Sequence, residues 1–545
     1  MRYSGRVQVI FTATILVILL AAGCGKTGTT TTAKSTAAPT SGVKQSGDLR
    51  IALASLYDEK FYPIPASPSN MYSIVVPFTE VLGQLEGAKV VPMVAESWQL
   101  APDGASWIYK VRKGIKFSNG DALTAADVKF SLDGFLSKEA YNRDLTNWVS
   151  STEKVDDYTV RLITKGPQPF LPYLTAYAGN NGMVMPKAYF EKVGPDGFQK
   201  APVGSGPWKF VSHAPGDSVK YEAVSQHWRI VPEFKTLAVL KAPEETTRLA
   251  MLRSGQADVA EIALDSVKEL EAAGMKTHSL TAATAMVGLY GAYDPRAKGK
   301  PTADIRVRKA LSLAINREEI SKSFFHGKAT PVMPPYAWDG TADIDVAAMK
   351  AYAAKVFGYD PAQAKQLLAQ AGHANGFKID LYTYTMGDAP YLPKLAEILQ
   401  GYWLKIGVDA KIVPTEWSVY RLLAKTAGGP PADQIIGNAA TMAVSNKFIL
   451  TQGLPSGFLV GTGLQLGYPG IPELERIVPL ATVELDPKKR AELNKQIMTL
   501  SSESYVFLTF GGVPYLAATS KAVNITFNQP SNGIVPYAER AKHAK

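Results

Sequence analysis

The sequence predicts an α/β protein whose lobes are built on mixed sheets, and three observations lead there. Short runs of alternating apolar residues recur along the chain and give way to loops carrying Tyr, Pro and Gly, the pattern of half-buried strands. In the later part, segments with apolar residues three and four apart alternate with such strands. No internal period of about 20 to 50 residues is visible, so a repeat architecture is not expected. The chain has 545 residues, 46% of them hydrophobic and 19% charged, a globular composition long enough for roughly two to four domains.

In chain order, the elements begin with a targeting segment. Arg2 and Arg6 form a basic start, 7–20 is apolar, and Ala21-Ala22-Gly23 places small residues before Cys24, the only cysteine. The apolar run is short for a membrane span of about 20 residues, and the whole looks like a bacterial lipoprotein signal, with Ala21 three places before the cysteine and Leu20 one place earlier. Residues 1–23 are therefore expected to be removed and Cys24 to become the lipidated N-terminus, with no intramolecular disulfide in the fold. Residues 24–46 are rich in Thr, Ser and Ala and read as a flexible tether.

Asp48 to Leu53 then alternates as a strand and ends in a loop with Tyr57, Tyr62, Pro63 and Pro65. Strands are expected at 107–111 and 158–163, and a helix at 125–135 behind Thr124 as N-cap, with Asp127 in its first turn. Later helices are expected at 307–314, 361–371, 391–405 and 487–502, and strands at 377–383 and 410–414. Pro102-Asp103-Gly104 and Asn119-Gly120 are turn chemistry, while Asp304 and Asp360-Pro361 open helices.

The charge balance of +10 admits a nucleic-acid or membrane partner. No dense basic run interleaved with aromatics occurs, so nucleic acid is not expected and anionic lipid headgroups are the better use of the surplus. His213, His227, His278, His326, His373 and His543 never reach paired ligand spacing, so neither a metal site nor a cofactor is expected. The nucleophile-elbow, phosphate-loop and zinc-protease signatures are absent, and Gly204-Ser205-Gly206 runs straight into a proline, so an enzyme is not expected.

Val94-Ala95-Glu96-Ser97-Trp98, Pro102-Asp103-Gly104, Val111-Arg112-Lys113-Gly114-Ile115-Lys116-Phe117 and Asn119-Gly120-Asp121 with Leu123-Thr124-Ala125-Ala126-Asp127-Val128 together resemble the family 5 extracellular solute-binding proteins, the peptide- and nickel-type receptors of ABC importers. The resemblance continues through Gly204 to Phe210, with Trp208 where the family usually has Tyr, then 251–258, 304–310, Tyr359-Asp360-Pro361 and Gly407-Val408. It implies a two-lobed clamp with an extra domain, the chain crossing between lobes near Leu289 to Asp294 and returning near Phe507 to Gly512. Lobe I would comprise 47–72, 205–290 and 506–545, the additional domain 73–204 and lobe II 291–505, with ligand held between the lobes.

The resemblance directs attention to Tyr57 and Tyr62 after the first strand, Tyr290 and Tyr293 at the presumed hinge, Trp417 after the 410–414 strand, and Asn438, Thr441 and Asn446 after 433–436. Tyr57, Tyr290, Trp417, Asn438, Thr441 and Asn446 are the expected ligand-binding residues. Peptide-binding relatives place a carboxylate after that last strand to pair the ligand's ammonium, whereas 437–446 here contains no acid; an acid from elsewhere, such as Asp58 or Asp388, is the alternative. The implied protein is a monomeric extracytoplasmic lipoprotein on the cell surface or in the periplasm that passes a peptide-like or other small solute to ABC permease subunits. A lipoprotein that senses or presents a ligand is the alternative. Metabolic labelling with a fatty-acid analogue is expected to mark the protein at Cys24, and Cys24→Ala to leave an unprocessed or mislocalised precursor; a wild-type protein that never takes the label contradicts the anchor.

Overall fold

Two long strands organise the chain, Lys276–Leu289 and Phe507–Thr519, hydrogen-bonded to each other over nearly their whole length. The computed structural model describes residues 43–179, 181–385, 389–424, 433–459, 470–527, 535 and 537–544. The expectations for Cys24, for the signal segment, for most of the tether and for Asp388 lie outside them. Among the described residues the strands are β1 (Asp48–Leu53), β2 (Gly83–Glu86), β3 (Lys89–Pro92), β4 (Ala95–Leu100), β5 (Ser106–Val111), β6 (Val149–Asp156), β7 (Thr159–Thr164), β8 (Trp208–Ala214), β9 (Ser218–Ala223), β10 (Thr236–Lys241), β11 (Val259–Ile262), β12 (Lys276–Leu289), β13 (Phe377–Tyr384), β14 (Val408–Thr415), β15 (Ala439–Ser445), β16 (Phe507–Thr519), β17 (Val523–Asn524) and β18 (Lys542–His543).

Ten of them form one mixed sheet in the order β14-β13-β15-β12-β16-β11-β1-β10-β9-β8. Between its two halves the partners of the long pair change. Ala283 to Leu289 of β12 pairs with β15, while Leu516 to Thr519 of β16 pairs with β11. These changes of partner, taken as the passage between lobes, fall near Thr281 to Ala283 on β12 and near Val513 and Pro514 on β16. Register shifts at Thr281/Ala283 and Ala285/Met286 mark bulges there, which bend and twist a ribbon locally.

Alternation along the strands builds the cores of the second lobe. Ala285, Val287, Leu289, Leu381 and Ala439 meet the helices Ile305–Leu313, Pro361–Gln370 and Leu392–Leu404 on one face. Met286, Tyr290, Tyr382, Tyr384, Ala440 and Met442 meet Trp417–Ala424, Pro472–Val483 and Pro487–Glu503 on the other. Arg308 and Arg317 are both buried and act as carbonyl clamps: Arg308 donates to Ser504 O and Thr302 O, and Arg317 to Thr509 O on β16, Ser312 O and Phe357 O.

The additional domain carries the antiparallel sheet β4-β5-β7-β6 against the helix Ala125–Leu136, whose Thr124 and Asp127 form a reciprocal capping box. It is pinned to lobe I through Glu80, fully buried, whose carboxylate accepts from the Arg229 guanidinium at 2.9 Å; the same guanidinium reaches Glu539 near the C-terminus at 3.2 Å. Burial pushes the Glu80 carboxyl up to about 7 against the pull of Arg229, and pushes the neighbouring His227 imidazole down to about 3. Neutral His227 donates from Nε2 to Ser205 O and accepts the Ile230 N–H at Nδ1, so this histidine holds the Gly204-Ser205-Gly206 turn. Toward lobe II the same domain presents Phe170, whose ring lies 4.9 Å from the Arg490 guanidinium carbon; Arg490 in turn pairs with Asp343 at 2.7 Å.

Gly511 marks the tightest point of the passage. Its φ is +119°, and a Cβ built there would stand 2.3 Å from the Thr330 carbonyl oxygen. Thr330 N–H donates to Gly512 O at 2.9 Å and Gly512 N–H donates to Thr330 Oγ1 at 3.0 Å, so the approach is fixed by two bonds. Gly511→Ala is expected to cost about 2–4 kcal/mol in chemical denaturation, combining the strained φ with displacement of the Thr330 segment. A cost below about 0.5 kcal/mol, the level of an ordinary surface change, contradicts that close approach.

Candidate functional site

Strand direction locates the site before any side chain is considered. β13 runs parallel to β14 and to β15, and Ser445 at the carboxyl end of β15 lies opposite Ala283, at the passage. The carboxyl ends Tyr384, Thr415 and Ser445 therefore face lobe I. In lobe I, β1 runs parallel to β10 and β11, and Ile262 at the end of β11 pairs with Leu516, again beside the passage. Both lobes thus turn the carboxyl ends of their parallel strands toward the same seam, the edge at which open α/β sheets bind ligands.

On the lobe II side an aromatic group occupies this edge. Trp417, Tyr420 and Arg421 share one face of the helix Trp417–Ala424 by their spacing. The Tyr384 ring lies 4.9 Å from Trp417 and 4.4 Å from Tyr420, and Trp417 stacks on Tyr420 at 5.7 Å and 27°. Arg421 stands 5.9 Å from the Trp417 ring. Tyr420 is fully buried and hydrogen-bonded through its hydroxyl to that of Tyr290, whereas Trp417 is only partly buried and caps the group. Burial lifts the hydroxyl pKa of Tyr290 and Tyr420 far above the ordinary phenol, so both stay neutral. Each such ring pair contributes about 0.5–1.5 kcal/mol beyond its buried area, enough to hold Trp417 as a preformed face.

Across the seam, the loop after β1 is held by Glu261, which accepts the Ala54 N–H at 3.0 Å and bonds the Tyr515 hydroxyl. Tyr57 follows with φ +61° and 47% exposure, a left-handed backbone that a bulky residue rarely adopts. Its N–H donates to Ser55 Oγ at 2.9 Å.

Of the expected binding residues, the structure brings Tyr57, Trp417 and Asn446 to the seam. Asn446 Oδ1 accepts from the Thr284 hydroxyl at 2.9 Å, just past the end of β15. Tyr290 reaches the aromatic group from behind, through Tyr420. Asn438 and Thr441 lie toward the amino end of β15: Asn438 accepts the Asp380 N–H and donates to Gln434 O, and the Thr441 hydroxyl meets Thr383 Oγ1 at 2.9 Å in a buried position. Residues 434–437 form a turn and 439–445 the strand, so the loop that faces lobe I starts at Asn446 and not at Gly437. Tyr62 packs on Phe190 in the additional domain, and the Tyr293 hydroxyl accepts from Arg308. Tyr384, Tyr420 and Arg421 were not anticipated, although the i, i+3, i+4 spacing of Trp417, Tyr420 and Arg421 was the available signal. Among the described residues no group of His, Cys, Asp and Glu is arranged to hold a metal ion, and no helix is long and apolar enough to cross a membrane.

Comparison with known proteins agrees with this architecture. Residues 89–448 match the family model for bacterial extracellular solute-binding proteins, family 5 (middle). The dipeptide-binding protein of Escherichia coli (strain K12) is 29% identical over 392 residues, spanning 66% of this chain and 69% of its own. Heme-binding protein A of Haemophilus influenzae is 30% identical over 391 residues, 66% of this chain and 67% of its own. Among solved structures, HbpA2 from Haemophilus parasuis superposes with a TM-score of 0.75 at 21% identity, over 88% of this chain and 96% of that one. With a two-lobed fold, a seam lined by carboxyl-end residues and a family match across most of the clamp, the chain belongs to the bacterial extracellular solute-binding proteins of family 5.

Proposed function

We propose that this protein is the receptor of an ABC importer: held outside the cytoplasmic membrane by lipid on Cys24, it encloses a small organic solute between its lobes and passes it to the permease. It is a binding protein and turns nothing over. The observation that carries this reading is the pairing, across two continuous strands, of a partly buried ring at the lobe II edge (Trp417) with an exposed tyrosine at the lobe I edge (Tyr57). A cleft that closes about two strands buries a ligand on both sides at once, and the strands keep the faces in register as it does so.

The side chains at the seam point to the class of solute. The carboxyl end of β15 carries Ser445, Asn446 and Lys447, with no acid, and Arg421 stands beside Trp417. A buried ammonium without a carboxylate costs several kcal/mol even after relaxation, so the carboxyl end of β15 is not made to hold a free α-amino group. Glu261 supports this reading, being already engaged by the Ala54 N–H and the Tyr515 hydroxyl. A flat, sugar-like or N-blocked peptide solute fits better, gripped by stacking on Trp417 and by neutral hydrogen bonds from Asn446.

Calorimetry against free di- to pentapeptides, their N-acetylated forms and short oligosaccharides tests this. Binding that survives or improves on acetylation is expected, and tight binding of free peptides that is lost on acetylation overturns the ligand class. Trp417→Ala is expected to weaken the bound solute about tenfold or more, as loss of a stacking anchor does, and to lower stability by only about 1–3 kcal/mol for the lost ring contacts, so that the variant remains folded in chemical denaturation. Unchanged affinity in that variant contradicts the site.

A further inference from the structure

A second recess of about 500 Å³ lies on lobe I, at the edge opposite the seam. Its wall includes Lys276, the first residue of β12, His278, and Thr519, the last residue of β16 and the partner of Lys276. Asn524 and Lys542, paired to each other between β17 and β18, and Arg540 complete it. Lys276 Nζ donates to Asn524 Oδ1 at 2.8 Å and His278 Nε2 meets Thr519 Oγ1 at 3.2 Å, so Lys276 is held against the floor of the recess. The Arg540 guanidinium lies over the Tyr537 ring at 4.5 Å.

Among the described residues no carboxylate pairs with Lys276, Arg540 or Lys542, because the nearby acids serve elsewhere. Glu233 accepts the His543 N–H, Glu539 holds Arg229, and Glu271 pairs with Lys328. Three cations around a recess with hydroxyl and amide groups in its floor is the chemistry of a phosphate site.

The tether leaves the fold beside this recess. Ser46, two residues before β1, donates its N–H to Glu233 O, and its hydroxyl and carbonyl meet His543 Nε2 at 3.2 and 3.1 Å; His543 adjoins Lys542. On the expectation from composition that 24–46 is a tether, a flexible linker of that length has a root-mean-square span of about 25 Å, which would keep a bilayer holding Cys24 within reach of this face. At the millimolar effective concentration such a linker sets, a weak headgroup site is filled.

We propose that the recess binds the phosphate of an anionic membrane lipid and seats the base of lobe I on the bilayer, leaving the seam turned outward toward incoming solute. This rests on the reading of Cys24 as the lipid anchor. The test uses the native lipidated protein in vesicles of phosphatidylcholine alone or with phosphatidylglycerol, and follows amine acetylation of individual lysines by mass spectrometry. Lys276 and Lys542 are expected to react about fivefold more slowly or less in the anionic vesicles, the factor an anionic surface adds for each basic residue close to it, while exposed Lys378 on lobe II reacts equally in both. High salt should remove the protection, and Lys542→Glu should remove it at Lys276. Equal rates at Lys276 and Lys542 in the two vesicle types overturn the proposal. Protection by soluble glycerol phosphate with none from phosphatidylglycerol also overturns it, making the recess a site for a free phosphate ester. Failure to float with neutral vesicles refutes the anchor separately, and flotation on anionic vesicles by that protein, abolished by Lys542→Glu, would still support the lipid site.

Discussion

The backbone pairing of β12 with β16 is the constraint on which the rest of the molecule depends. These strands are the part of the sheet shared by both lobes, and from Ala285 to Leu289 the side chains of β12 alternate between the two cores of lobe II. A two-stranded ribbon twists and bends at low cost but does not stretch, since its ladder of hydrogen bonds holds the register. The lobes are therefore free to rotate about the bulged stretch near Thr281 to Met286 and are barred from sliding. Gly511 and the Thr330 bonds set where on β16 that rotation is taken up, and Arg317, bound to Thr509 O, fastens the strand to lobe II just before it.

The direction of the parallel strands turns this hinge into a binding device. Because β1, β10 and β11 in one lobe and β13, β14 and β15 in the other all end at the seam, the loops that carry side chains free of ladder duties converge there. Trp417 is held in place from behind by Tyr420, Tyr384 and Tyr290, so its exposed face is fixed before a solute arrives. Pre-organisation of this kind reduces the ordering cost of binding. Farther from the seam, Arg490 against Phe170 and Asp343 joins the additional domain to lobe II, while the Glu80, Arg229 and Glu539 group joins it to lobe I.

Much of this was legible in the chain itself. The strand at 48–53, the capped helix from Ala125 and the helices near 361 and 487 stand where their alternation, N-caps and prolines put them, because each is decided by neighbours within a few residues. Arg308, the buried arginine of the 304–310 motif, is a carbonyl clamp, a structural use of a residue whose type alone suggests ligand or charge chemistry. What local pattern does not reveal is where a strand begins when apolar residues run on without a break. From Gln434 to Val444 the sequence offers Ile, Ala, Thr, Met and Val with one Gly-Asn pair, and the turn at 434–437 competes with strand for the same residues. Placing the strand too early moved Asn438 and Thr441 to the seam on paper, when they sit at its far end. For a related reason the change of partners along β12 and β16 was not legible: a strand that changes partners midway carries no mark of it in its own sequence.

Small-angle X-ray scattering of the protein, first freed of solute by unfolding and refolding and then saturated with the solute that calorimetry identifies, tests the hinge most directly. The account predicts a smaller radius of gyration in the bound state, with scattering that fits rotation of two rigid lobes about the β12–β16 pair. Tight binding with no change in radius would contradict it.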